Sequence, residues 1–285
     1  MASTLNLAGV STKLLYSTAR IVAQLSNNKQ SIGTAFFFNF KLDNDRIIPV
    51  LVTNKHVVAN SSSGTFLIHE ATHDSQGNKI PSTTSITVEV NSFADRWIGH
   101  PGDVDVCAMP VAPLHQQLQA SNRDLFYIPL EEALIPSDTA VGNLVALEDV
   151  IMVGYPIGLW DPINNYPLLR RGITATHPHI DFNGKPLGAV DIAAFPGSSG
   201  SPILILNQGS YSTPNGITIG SRIMLLGVLA AGPQFTAEGE IEIVDIPTAN
   251  APVVVTRIPI HLGYYIKSRE LLVLKQHLVS QLHTK

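Results

Sequence analysis

The chain has 285 residues, 45% of them hydrophobic and 14% charged, too apolar for a disordered protein and too short for a large multidomain machine. Its 18 basic and 22 acidic side chains leave a net charge of −4 with no basic run, so neither nucleic acid nor an anionic membrane is an expected partner. The single cysteine, Cys107, excludes an internal disulfide, which points to a packed core for stability and to a reducing, cytoplasmic location. Residues 1–15 hold Lys13 and no sustained apolar stretch, which argues against a signal peptide. The longest apolar run, residues 223–232, is far below the roughly eighteen residues of a membrane span.

Glycines and prolines, 21 and 19 of them, are scattered between short apolar runs, the pattern of an all-β sandwich or barrel. Residues 34–40 and 46–53 flank a turn at 42–45 whose Asp and Asn side chains can bond their own backbone, predicting a hairpin. Strands are expected over 84–90, 145–154, 187–194, 202–206, 223–231, 241–246 and 253–260. Residues 112–143 are the least regular stretch and the expected linker between two β halves. At the C-terminus Ser268 can cap a helix that sets Leu271, Leu274, Leu278 and Leu282 along one face. That stripe is expected to dock on the body of the protein; the alternatives are a partner-binding or assembly surface, or a membrane-surface helix.

Chemistry concentrates in three segments. Phe195-Pro196-Gly197-Ser198-Ser199-Gly200-Ser201-Pro202 sets a serine between small residues just before an apolar strand. Glycine lets the backbone turn sharply, so Ser199 can project its Oγ while the N–H groups of Gly197 and Ser199 serve an oxyanion. Such loops are as often plain turns. A serine needs a base, and the β-branched run ending at Asn54-Lys55 is followed at once by His56. A lone histidine beside an apolar run is more often structural. The third member should be a carboxylate buried well enough to hold the histidine tautomer, and Asp105, followed by four apolar residues, fits better than Asp103, a loop residue after Gly102.

These segments, in the order His, Asp, Ser, resemble trypsin-like (chymotrypsin-fold) serine peptidases, especially the bacterial HtrA-like branch. Gly33-Thr34-Ala35-Phe36, Gly154-Tyr155-Pro156-Ile157-Gly158 and Gly227-Val228-Leu229-Ala230-Ala231-Gly232 extend the likeness over about residues 18 to 266. The resemblance implies two six-stranded β-barrels with a C-terminal helix: residues 1–120 carrying His56 and Asp105, 121–266 carrying Ser199, and the helix in 267–285. It implies a serine endopeptidase without cofactor, acting on a protein or peptide substrate. His56 is the general base, Asp105 its orienting partner, and Ala230, Ala231 and Gly232 the strand that pairs with substrate. Oligomeric state is open. The alternative is a catalytically silent domain that binds peptides in the same cleft.

Departures from that pattern carry their own expectations. Ser198 stands where digestive-type members have an aspartate that binds the N-terminus freed by propeptide cleavage, so activation should not require cleavage. Ala193, six residues before the nucleophile, places no charge at the base of the specificity pocket and argues for an apolar or small side chain there. Ala230 stands where a serine often supports the triad aspartate. No PDZ-like domain is expected after the helix.

His69-Glu70-Ala71-Thr72-His73 matches the HExxH zinc pattern formally, but that chemistry needs both histidines on one helix face, and the surrounding residues read as strand and turn. No metal site is expected. His177-Pro178-His179 reads as a loop, and Cys107 as a small buried apolar residue.

Overall fold

The computed structural model describes residues 7–25, 29–232, 234–240, 253–259 and 261–283; the strand expected over 241–246 lies outside them. After a short helix α1 (Val10–Leu14) come β1 (Thr18–Leu25), β2 (Gln30–Lys41), β3 (Ile47–Thr53), helix α2 (Lys55–Val58), β4 (Ser61–His73), β5 (Lys79–Asn91), β6 (Ile98–Gly99) and β7 (Cys107–Pro110). They form the path β5-β4-β1-β2-β3-β7-β6. The predicted hairpin is β2–β3, closed over a single 3-10 turn at Asp43–Asp45.

Residues 112–143 are not the irregular linker their sequence suggests. They fold into helix α3 (Ala112–Gln119), strands β8 (Leu125–Phe126) and β9 (Leu130–Glu131) and helix α4 (Asp138–Gly142). β8 pairs with β4 and β9 runs parallel to β2, completing a nine-stranded sheet where six strands were expected. The reason is burial without periodicity. Leu114, Leu118, Leu125, Phe126 and Leu130 are all buried, but over two-residue strands neither a period of 2 nor one of 3.6 can develop.

The second half contains β10 (Asp149–Gly154), β11 (Leu168–Thr174), β12 (Leu187–Asp191), β13 (Pro202–Asn207), β14 (Ser210–Thr213), β15 (Gly216–Ile219), β16 (Arg222–Ala231), β17 (Gln234–Glu240), β18 (Val253–Pro259) and β19 (Leu262–Lys267). Six of these close as a barrel in the order β10-β11-β12-β19-β16-β13, while β14–β15 and β17–β18 are separate hairpins.

The two halves share a core. Along β2, Phe37 packs inside the first sheet with Ile21, Leu51 and Phe66. Its neighbours Phe36, Phe38 and Phe40 turn the other way and join Val153, Leu204, Leu225 and Val228 of the barrel. Both faces of β2 are therefore covered, which is why its sequence reads as an unbroken aromatic run and not as an alternation. Helix α5 (Glu270–His283) closes the seam: Leu271, Leu274 and Leu278 are fully buried in the same cluster, each contributing about 1.5–3 kcal/mol of burial. Leu282 alone of the four is exposed, at 42%. The stripe is thus docked within the chain and is not an assembly surface. The helix begins at Glu270 and not directly after Ser268, whose backbone carbonyl accepts the Leu271 N–H.

Candidate active site

His56 sits on the single turn α2, directly after β3, and its neighbours hold it there. Val57 and Val58 are buried, and Val57 packs so closely on Gly33 that a Cβ at 33 would lie 2.5 Å from the valine methyl. Ahead of His56, Asn54 Nδ2 donates to the Asp105 carbonyl at 2.7 Å, and Lys55 Nζ donates to the carbonyls of His100 (2.7 Å) and Gly102 (3.0 Å). Two consecutive residues therefore tie the 100–105 loop to α2, and the Asp105 carboxylate arrives where His56 needs it. His56 Nδ1 lies 2.5 Å from Asp105 Oδ2, and the His56 backbone N–H donates to Oδ1 at 3.1 Å. Asp103 is exposed.

The carboxylate is less buried than expected. The side chains of His56 and Asp105 are 49% and 37% exposed. Asp105 and Ala230 line one cavity of about 420 Å3 with Val104, Leu187, Tyr264 and Ile266. No hydroxyl reaches Asp105 from Ala230, and among the described residues the carboxylate takes its hydrogen bonds from His56 alone.

Ser199 lies on the loop between β12 and β13. Ser198 N–H donates to the Phe195 carbonyl at 3.0 Å, with Pro196 and Gly197 at the central positions and Gly197 at φ +88°. Proline then glycine with positive φ is the signature of a type II turn. Its outer carbonyls are engaged: Pro196 accepts from Ile157 N–H (2.5 Å), and Gly197 from Thr34 Oγ1 (3.0 Å). Among the described residues the N–H groups of Gly197 and Ser199 and the Ser199 Oγ have no hydrogen-bond partner. Ser199 Oγ is therefore not bonded to His56.

Thr34 joins the two parts. Its N–H donates to the Ser199 carbonyl at 2.9 Å, and its Oγ1 also accepts the Tyr155 N–H at 3.1 Å. Its own carbonyl accepts from Thr53 Oγ1, one turn before His56. Gly200, at φ +87°, presses onto that carbonyl so closely that any Cβ would collide with it. Strand β2, which pairs with the strand leading to the histidine, and the loop bearing the serine thus meet backbone to backbone.

β13 pairs with β16 only as far as Val228, and Gly200 N–H then takes the Leu229 carbonyl. Beyond this point the β13-facing edge at Ala230 to Gly232 is unpaired among the described residues, while Ala231 pairs on its other side with Tyr264. The register of β16 against β19 shifts between Leu229 and Ala231, a bulge of the kind that re-aims a strand beside a site.

Sequence reasoning missed Arg170. It lies on β11, its Nη1 donates to the Ala193 carbonyl, and its Nη2 donates to the fully buried Ser198 Oγ at 2.7 Å. Burial lowers its pKa to about 10. A signal was present: Arg170 and Arg171 are adjacent on one strand and must face opposite ways. Arg171 takes the solvent side, pairing with Asp149.

The HExxH residues lie in strand β4. His69 is buried, its Nε2 donates to the Asn165 carbonyl at 3.1 Å, and burial lowers its pKa to about 4. Glu70 is held by Arg123 and Thr84. His177 to His179 form a turn, and Cys107 is buried on β7 with its thiol pKa pushed up by burial.

A closed six-stranded barrel packed on a second β-sheet, with a His–Asp pair on one and a glycine-serine turn on the other, defines a two-part β peptidase fold. A family model described as the trypsin-like peptidase domain matches residues 33–211, and the chain belongs to that family. No curated protein matches the chain. Among solved structures it is similar to the HtrA-type protease AlgW with tripeptide (TM-score 0.47, 14% identity), covering 95% of this chain but only 62% of that one. It is also similar to GrC (TM-score 0.47, 12% identity, 92% and 94% covered) and to HL collagenase (TM-score 0.42, 13% identity, 77% and 82% covered).

Proposed function

We propose that the chain is a serine endopeptidase that cleaves protein or peptide substrates through an acyl-enzyme on Ser199. One observation carries this reading: among the described residues the N–H groups of Gly197 and Ser199 are unpaired, on a turn already set with Gly197 at positive φ. Unpaired donors beside a serine suit a developing oxyanion.

His56, with Nδ1 bonded to Asp105, presents Nε2 as general base. It takes the Ser199 proton as Oγ attacks the scissile carbonyl, then returns that proton to the leaving amine. Water repeats the sequence to release the acid. The Ser199–His56 bond, absent in the free chain, forms as substrate seats, as such bonds commonly do. The unpaired edge at Ala230 to Gly232 takes the substrate as an added antiparallel strand. Ser198 already has an internal partner in Arg170, which supports activity without N-terminal cleavage. A neutral Ala193 with a guanidinium on its carbonyl disfavours substrates with Lys or Arg before the cut and leaves an apolar or small side chain as the preferred one. The buried, unpaired Cys107 suits a cytoplasmic location.

The test is labelling by a fluorophosphonate probe together with peptide hydrolysis. Wild type should label and cleave, with no effect of a zinc chelator. Ser199→Ala should lose labelling and lower turnover by about 10⁶-fold while still binding peptide. A wild type that binds peptide but neither labels nor cleaves would make this a silent binding domain.

A further inference from the structure

We infer that Arg170 is the positioning residue of the oxyanion turn: its guanidinium, bonded to Ala193 and Ser198 at once, holds the Gly197 and Ser199 N–H groups toward the reacting carbonyl. This rests on the peptidase reading above.

The turn at Phe195 to Ser198 has an obvious alternative. Rotating the Pro196–Gly197 peptide would turn the Gly197 N–H away and put a carbonyl in its place, and glycine offers little resistance. Ile157 and Thr34 hold the carbonyls of Pro196 and Gly197. Among the described residues the flanks of the turn are held by Arg170 alone among side chains: Nη1 on the carbonyl of Ala193, Nη2 on the hydroxyl of Ser198, the residue between the two donors. A planar, pre-organised fork can fix both points in one geometry, which a lysine cannot.

The electrostatics point the same way. Arg170 is half-buried, and cations drawn out of water normally have a carboxylate partner. Among the described residues Arg170 has none; its third nitrogen, Nε, is buried without a partner, and Nη2 otherwise approaches only the Met152 sulfur. A half-buried charge without a counter-ion contributes little to folding. Its location behind a loop that binds a negatively charged oxygen gives it a use, because an uncompensated positive charge there favours the oxyanion over the neutral carbonyl.

The experiment compares wild type, Arg170→Leu, Arg170→Ala and Arg170→Lys. If Arg170 positions the turn, Arg170→Leu lowers kcat by about a hundredfold with KM within about twofold, because oxyanion donors act only in the transition state. Arg170→Lys retains part of the rate, and millimolar ethylguanidine restores part of it to Arg170→Ala, which a purely structural arginine would not permit. Amide exchange of residues 194–200 provides a readout independent of turnover: the Ser198 N–H should be protected in wild type and exchange faster in Arg170→Leu. Equal exchange in both, or kcat and KM falling together with the unfolding temperature and without guanidine rescue, overturns the assignment. A wild type that neither labels nor cleaves defeats the peptidase reading, and the exchange comparison still decides whether Arg170 holds the turn.

Discussion

The two halves build their shares of the site from different material. The first half supplies side chains, and three consecutive residues, Asn54, Lys55 and His56, are enough to hold Asp105 and its loop. The second half supplies backbone: a turn whose shape depends on Thr34, Ile157, Arg170 and Leu229, all distant in sequence from Ser199. Damage should therefore differ in kind. A change in the side-chain half should remove chemistry and leave the fold, whereas a change in the backbone half should take some stability with it.

The sharpest test of that contrast is Asp105→Asn. Asparagine keeps the size and can still accept the His56 N–H, but it favours the wrong imidazole tautomer, so kcat should fall by about 10⁴-fold with an unchanged unfolding temperature. A loss of less than about tenfold would mean that a half-exposed carboxylate is not what orients His56.

Next in size is Gly197→Ala. A Cβ there would lie 2.5 Å from the Tyr155 carbonyl oxygen, on a backbone at φ +88°. The turn must move, costing about 10²- to 10³-fold in kcat through the lost donor, with a lower unfolding temperature besides. If kcat falls while stability holds, the backbone half is more tolerant than its contacts indicate.

The same contrast explains what could be read in the sequence. The 34–53 hairpin, the leucines of α5 and the choice of Asp105 over Asp103 follow from local pattern, because each depends on residues within a few positions. Asp105 is followed by residues that enter β7, and that continuity is visible in one line of sequence. The structure of residues 112–143 was not legible, since its two-residue strands borrow their partners from β2 and β4. Nor was Arg170, whose neighbours Ala193 and Ser198 lie more than twenty positions away. Strand alternation would have turned one of the two arginines inward, but it would not have said onto what. The degree to which Asp105 is buried likewise depends on Ala230, a residue of the opposite half.

Where the halves meet away from the site, the sequence carries a smaller effect. His69 of β4 reaches the Asn165 carbonyl between β10 and β11, with ring centroids 4.7 Å from Tyr16 and 5.5 Å from Tyr166, and the two tyrosine hydroxyls are 2.8 Å apart. Burial lowers the His69 pKa from 6.5 to about 4. Near neutral pH His69 is uncharged whether folded or unfolded, and the junction is unaffected. As pH falls from about 6.5 toward 4 the unfolded chain binds a proton there that the folded chain refuses, so stability falls across that window by up to about 3 kcal/mol. His69→Gln can still donate to Asn165 but does not titrate. Its unfolding temperature should fall less steeply than that of wild type between pH 6.5 and 4, with the two curves parallel above pH 7. Parallel curves throughout would mean that water reaches His69 and that the junction opens without acid. Thermal unfolding followed at tyrosine wavelengths, across both proteins and that pH range, decides between a sealed junction and a wet one.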